Sequence, residues 1–153
     1  MELQVSKILV PIDFSDYSKM ALDYAVEFAK KFNSQLFLIY VIEPIVYPSD
    51  FGLGQVSISS IDMEIQSRAE DEMQKLINEK VPKETKVSWI VRVGKPFIEI
   101  INEAKEKDCD LIIIATHGHT GIEHILFGST AEKVVRKSPI PVLVLREKQE
   151  KKS

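Results

Sequence analysis

The chain has 153 residues, of which 44% are hydrophobic, enough for one domain with a sizeable core. Its net charge of -3 comes from 20 basic and 23 acidic residues mixed along the sequence, which excludes a broad basic face for nucleic acid or anionic lipid. The longest unbroken apolar run, LFLIYVI over 36–42, falls far short of the roughly 20 residues that cross a bilayer. A lone cysteine, Cys109, excludes an internal disulfide framework and suits a reducing compartment; beside a strand start it reads as a small buried residue. The N-terminal MELQVSKILVPID has no basic start, long apolar run and cleavage site of a secretory leader, so a soluble cytoplasmic protein is expected.

Strand-like runs alternate with helix-like segments, the pattern of a parallel sheet covered on both faces. The first run, KILVPID over 7–13, is almost continuously apolar. Ser15 or Asp16 then caps a helix whose Met20, Ala21, Tyr24, Ala25, Phe28 and Phe32 recur at helical spacing. QLFLIYVI over 35–42 is the second strand. It leads into a loop, 43–57, whose prolines and glycines forbid regular structure and whose Tyr47, Phe51 and Leu53 are candidates for a cover or a partner surface. Ile61, Ile65, Ala69, Met73, Leu76 and Ile77 mark the inner face of a second helix that ends before Pro82.

The third strand is TKVSWIVRVG over 85–94, and Pro96 suits the first turn of a helix with Phe97, Ile100, Ile101 and Ala104 inward. The fourth, DLIIIAT over 110–116, is followed by a short helix from STAEKVVRKS and a fifth strand, PVLVLR over 141–146. One α/β domain over 1–146 is expected, with five parallel strands, helices on both faces, and a charged, disordered tail over 147–153. There is no internal repeat and no second core.

The segment ATHGHTGIEHILFGST over 115–130 gathers all three histidines, His117, His119 and His124, and three of the six glycines, Gly118, Gly121 and Gly128. In open parallel sheets ligands bind beyond the carboxyl ends of strands, so this loop and the one opened by Asp13 are where a site belongs. Glycine lets a ligand approach peptide N–H groups closely. Gly128, Ser129 and Thr130 stand at the start of the fourth helix, where unpaired N–H groups and the helix dipole favour phosphate. Ser129 to Glu132 also matches a capping box, which either accounts for these residues alone or coexists with a bound phosphate.

Two other chemistries fit poorly. A Walker loop needs Gly-Lys before Ser or Thr, whereas Phe127 precedes Gly128 and no lysine lies over 115–130. The histidine spacing matches no zinc signature, so no metal site is assigned to His117, His119 and His124.

Taken together, this segment with SPIPVLVL after it, and KILVPIDFSDYSKMAL near the start, resembles the universal stress protein family over nearly the whole chain. The nucleotide-binding branch of that family carries Gly-x-x-Gly, nine residues, then Gly and Ser or Thr. Here Gly118, nine residues, Gly128 and Ser129 keep the pattern, but Ala115 stands at the first glycine. In extended geometry its methyl is accommodated; a required positive φ would cost about 1 kcal/mol.

The resemblance implies a Rossmann-like sheet in the order 3-2-1-4-5 and bound ATP, with Mg2+ held mainly by phosphate oxygens. It puts adenine and ribose beside Pro11, Ile12, Asp13 and the backbone of Val41, and the phosphates beside Ala115, His117, Gly118, His119, Gly128, Ser129 and Thr130. Asp13 alone also reads as a residue closing a turn before a helix. The family further implies a homodimer that pairs fifth strands through Val142, Leu143, Val144 and Leu145, which would cover an apolar sheet edge. A nucleotide-dependent stress-response regulator is the expected function, and no catalytic residue is assigned. The alternatives are a slow ATPase or self-phosphorylating enzyme with Ser129 or Thr130 as acceptor, and a non-nucleotide dimerisation module of the same fold.

Overall fold

The computed structural model describes residues 1–44, 59–117 and 128–147. Among them the chain runs β1 (Lys7–Pro11), α1 (Asp16–Phe32), β2 (Gln35–Ile42), α2 (Ser59–Lys80), β3 (Val87–Val93), α3 (Pro96–Glu106), β4 (Leu111–Ala115), α4 (Ser129–Lys137) and β5 (Val142–Leu145). All strand pairs are parallel and the order is β3-β2-β1-β4-β5, as the resemblance implied. The loop over 45–58 and the tail from 148 lie outside the described residues, so Tyr47, Phe51 and Leu53 receive no structural account.

The alternation of side chains along each strand divides the core in two. Ile8, Val10, Leu36, Leu38 and Ile113 pack with α1 and α2 on one face. Leu9, Phe37, Ile39, Ile112 and Ile114 pack with α3 and α4 on the other. Strands buried on both sides must be apolar throughout, which is why these runs are so continuous. From β1 the chain steps outward to β2 and β3, then returns past β1 to β4, and right-handed crossovers therefore set the two helix pairs on opposite faces. At the other end of the strands, the Asp110 carboxylate accepts the backbone N–H groups of Ser6 and Lys7 at 2.8 and 3.0 Å, tying the start of β4 to β1.

Helical spacing located α1 but misjudged its inner stripe. Ala21 and Ala25 are buried as expected, with Ser18, Leu22, Val26 and Ala29. Tyr24 and Phe32 are 40% and 38% exposed, and Phe28 stacks on Phe32 at a ring separation of 5.8 Å. Alanines let the helix lie close to the sheet, so bulky rings are displaced to the flank. In α2, Ala69, Met73, Leu76 and Ile77 are buried, whereas Ile65, one turn beyond the sheet contact, is 38% exposed.

The inner face of α3 holds an ion that the apolar pattern does not show. Glu103 is only 2% exposed and meets the Arg92 guanidinium from β3, which also bonds Glu106 at 2.7 Å and approaches Glu99 at 3.7 Å. The hydrogen bond to Glu103 is the main reason that the Arg92 pKa is raised further. Replacing one partner leaves the other buried without compensation. Arg92→Ala is expected to destabilise the fold by about 2 kcal/mol or more, and Glu103→Gln in the same chain to recover part of it, read by urea denaturation.

Cys109 is buried just before β4, as its position suggested, and burial pushes its thiol up to about 11. Little thiolate forms near neutrality, and the thiolate is the nucleophile. Iodoacetamide at pH 8 should leave the folded protein unmodified and alkylate Cys109 once urea unfolds it, which mass spectrometry reports directly.

Candidate functional site

The turn after β1 is built around a strained residue. Phe14 adopts φ 63°, a left-handed conformation unfavourable for an aromatic side chain, and its ring rests 5.1 Å from that of Tyr40. This reverses the chain so that Asp13 Oδ1 accepts the Ser15 N–H at 3.0 Å and the Ser15 hydroxyl as well. Ser15 Oγ in turn accepts the Ser18 N–H at 3.2 Å as the N-cap of α1. Ser18 Oγ closes the network, donating to the Ser15 carbonyl at 3.1 Å and accepting the Asp13 N–H at 3.3 Å. Asp13 therefore does close a turn before a helix. Its carboxylate also helps raise the Tyr40 pKa, after burial and Glu72, so the phenol stays neutral.

The second wall is the exit of β4. Ala115 ends the strand, buried and paired with Leu145, and it is absent from the positive-φ residues, so its methyl sits in ordinary extended backbone. Thr116 is 2% exposed and its N–H donates to the Leu145 carbonyl at 2.9 Å. Its carbonyl accepts the Gly128 N–H, and its hydroxyl lies 3.0 Å from His117 Nδ1. The His117 ring rests 5.5 Å from that of Tyr17.

Two expectations for the start of α4 are corrected here. The N-cap is Gly128, not Ser129, and the Glu132 carboxylate pairs with Arg136, so the capping box is not formed. Gly128 has φ -67°, open to any residue; what demands glycine is that a Cβ would stand 2.9 Å from the Thr116 carbonyl oxygen. With the cap at 128, the N–H groups of Ser129, Thr130 and Ala131 have no acceptor within the helix, while Glu132 N–H already bonds Gly128 O at 3.0 Å.

Between these walls lies a cavity of about 300 Å³. It opens at the carboxyl ends of β1 and β4, where the connections leave for opposite faces of the sheet. Pro11, Ile12 and Asp13 line it from β1 and its turn, Val41 from β2, Ala115 and His117 from β4, and Gly128, Ser129 and Thr130 from α4. Nine of the eleven residues expected at a site thus share one cavity. The other two, Gly118 and His119, lie outside the described residues, as do Gly121 and His124. Among the described residues no cluster of His, Cys, Asp and Glu could hold a metal ion.

Sequence reasoning missed Ile39, which lines the cavity with Val41 because alternate residues of β2 share a face, and Glu43 just past the strand's end. That alternation was readable. Ser18, Ile114, Thr116 and Ala131 neighbour residues already singled out, but Pro96 and Ile100 enter from α3 through the crossover alone. Ile39, Val41 and Ile114 from the sheet and Ile100 from α3 thus give the cavity an apolar lining, and α4 adds two hydroxyls and amides without a helical acceptor. The arrangement suits a molecule with an apolar flat part and an anionic tail.

This doubly wound sheet with its cleft at the strand switch defines a Rossmann-like α/β protein. The sequence model of the universal stress protein family matches residues 4–146, and the chain belongs to that family. It is 35% identical to universal stress protein YxiE of Bacillus subtilis over 92% of this chain and 99% of that one. With universal stress protein MJ0577 of Methanocaldococcus jannaschii it shares 32% identity over 97% and 99%. The solved structure of MJ0577 superposes with a TM-score of 0.84, covering 97% of this chain and all of that one. A universal stress protein from Archaeoglobus fulgidus in complex with dAMP, 22% identical over 93% and 98% with a TM-score of 0.58, shares the fold. No helix among the described residues is long and apolar enough to cross a membrane.

Gly128→Ala tests the contact that shapes the cleft. Its methyl must push the Thr116 carbonyl aside, a backbone shift expected to cost about 1–3 kcal/mol in urea denaturation. A loss below about 0.5 kcal/mol would mean that the walls are less tightly joined than the geometry shows.

Proposed function

We propose that this chain is an ATP-binding universal stress protein whose nucleotide state regulates its associations. The observation that carries this reading is the cavity itself, apolar between β2 and α3 and lined at α4 by amides that have no acceptor within the helix. Its volume of about 300 Å³ is at the small end for ligand sites, and its open mouth leaves the end of a polyphosphate in water. Adenine and ribose lie against Pro11, Ile12, Asp13 and Val41. The phosphates lie along Ala115, His117, Gly128, Ser129 and Thr130, with Gly118 and His119 completing the cradle as the family pattern implies. Where Mg2+ accompanies the nucleotide, phosphate oxygens supply most of its ligands.

Regulation fits this site better than turnover. His117, the described candidate base, engages Thr116 through Nδ1, and the hydroxyls of Ser129 and Thr130 sit among amides that bind charge without moving a proton. We also propose that two chains pair through β5, an edge strand whose Val142, Leu143 and Val144 are half-buried in the single chain. Sedimentation showing only monomer at micromolar concentration would remove that pairing.

Nucleotide binding has a direct thermal readout. ATP at 100 times its Kd stabilises the fold by about 2.7 kcal/mol, which for a chain of this size raises Tm by roughly 5 °C or more. Gly118→Val should abolish the rise while leaving the Tm of the protein alone nearly unchanged. A Tm indifferent to millimolar ATP, ADP and AMP would favour a dimerisation module without nucleotide.

A further inference from the structure

A polyphosphate at the start of α4 would meet amides and hydroxyls, and the sequence over 115–130 holds no lysine or arginine. The fold brings a cation from the next turn of α4. Lys133 stands four residues after Ser129 and three after Thr130, so it shares their side of the helix. Helical side chains lean back toward the N-terminus, and a lysine stem spans about one turn. Its Nζ rests 5.1 Å from the centre of the Phe97 ring, and Phe97 adjoins Pro96 in the cavity wall.

The same ring also holds Lys137, whose Nζ is 5.0 Å from the centre. Two like charges share this part-buried ring and repel each other. Among the described residues neither lysine has a carboxylate partner, whereas Arg136 and Arg92 both do. Lys133 is therefore a cation without a carboxylate partner among the described residues, one helical turn from the amides at the start of α4.

We propose that Lys133 selects for polyphosphates at this site, moving from Phe97 to the distal phosphates and so favouring ATP over AMP. This rests on the nucleotide assignment above and adds to it the residue that reads tail length. Lys137, a turn further from the helix start, stays on the ring.

The test is titration calorimetry on the full chain with ATP, AMP and inorganic tripolyphosphate, at low and high salt. Lys133→Gln should weaken ATP and tripolyphosphate about five- to tenfold and flatten their salt dependence, while AMP changes less than about twofold. Lys137→Gln should change all three less than about twofold, and Lys133→Arg should keep most of the ATP affinity. Equal weakening of ATP and AMP by Lys133→Gln, or an unchanged ATP affinity, overturns the role of Lys133 and leaves the nucleotide site standing. A wild-type chain that binds none of the three ligands overturns both. An unaltered Tm for Lys133→Gln without ligand confirms that folding is not the cause.

Discussion

The approach of Gly128 to Thr116 is the contact on which the site depends. The carbonyl just past β4 accepts the N–H just before α4, and the absence of a Cβ is what permits it. This brings the start of α4 to the carboxyl end of the sheet, beside the β1 turn. Thr116 and Gly128 thus stand at nearly the same point, so the two described walls are joined there. Three amides without helical acceptors then face a cavity rather than bulk water.

The opposite wall is held by a different device. Phe14 is strained, and the strain is offset by the linked hydrogen bonds of Asp13, Ser15 and Ser18 and by the ring contact with Tyr40. A rigid turn gives Asp13 one fixed position, which favours recognition over motion. The β1 turn and α4 thus bring polar groups to the cavity, while Ile39, Val41, Ile100 and Ile114 line it with apolar side chains. This mixed lining, more than any single residue, defines what can bind.

Most of the fold was legible because strands buried on two faces leave nearly uninterrupted apolar runs. β2 begins and ends where its run does, at Gln35 and Ile42. Pro96 at the first turn of α3 follows from proline's missing N–H. Less was legible where packing distance matters. Helical spacing cannot tell Ala25, against the sheet, from Phe28 on its flank, and it gives no warning of Glu103, whose burial depends on Arg92 from another strand.

The sequence by itself determined the alternation of elements and the chemistry of the segment after β4, since these rest on periodicity and on residue type. The resemblance carried by its motifs supplied the strand order. Only the tertiary structure decided that Gly128 rather than Ser129 caps α4, that Ala115 is extended, and that Pro96, Ile100 and Glu43 share a cavity with Asp13. The physical reason is distance: local pattern reports what neighbours along the chain prefer, whereas a cleft at a strand switch is made by residues that crossover connections bring together from six elements.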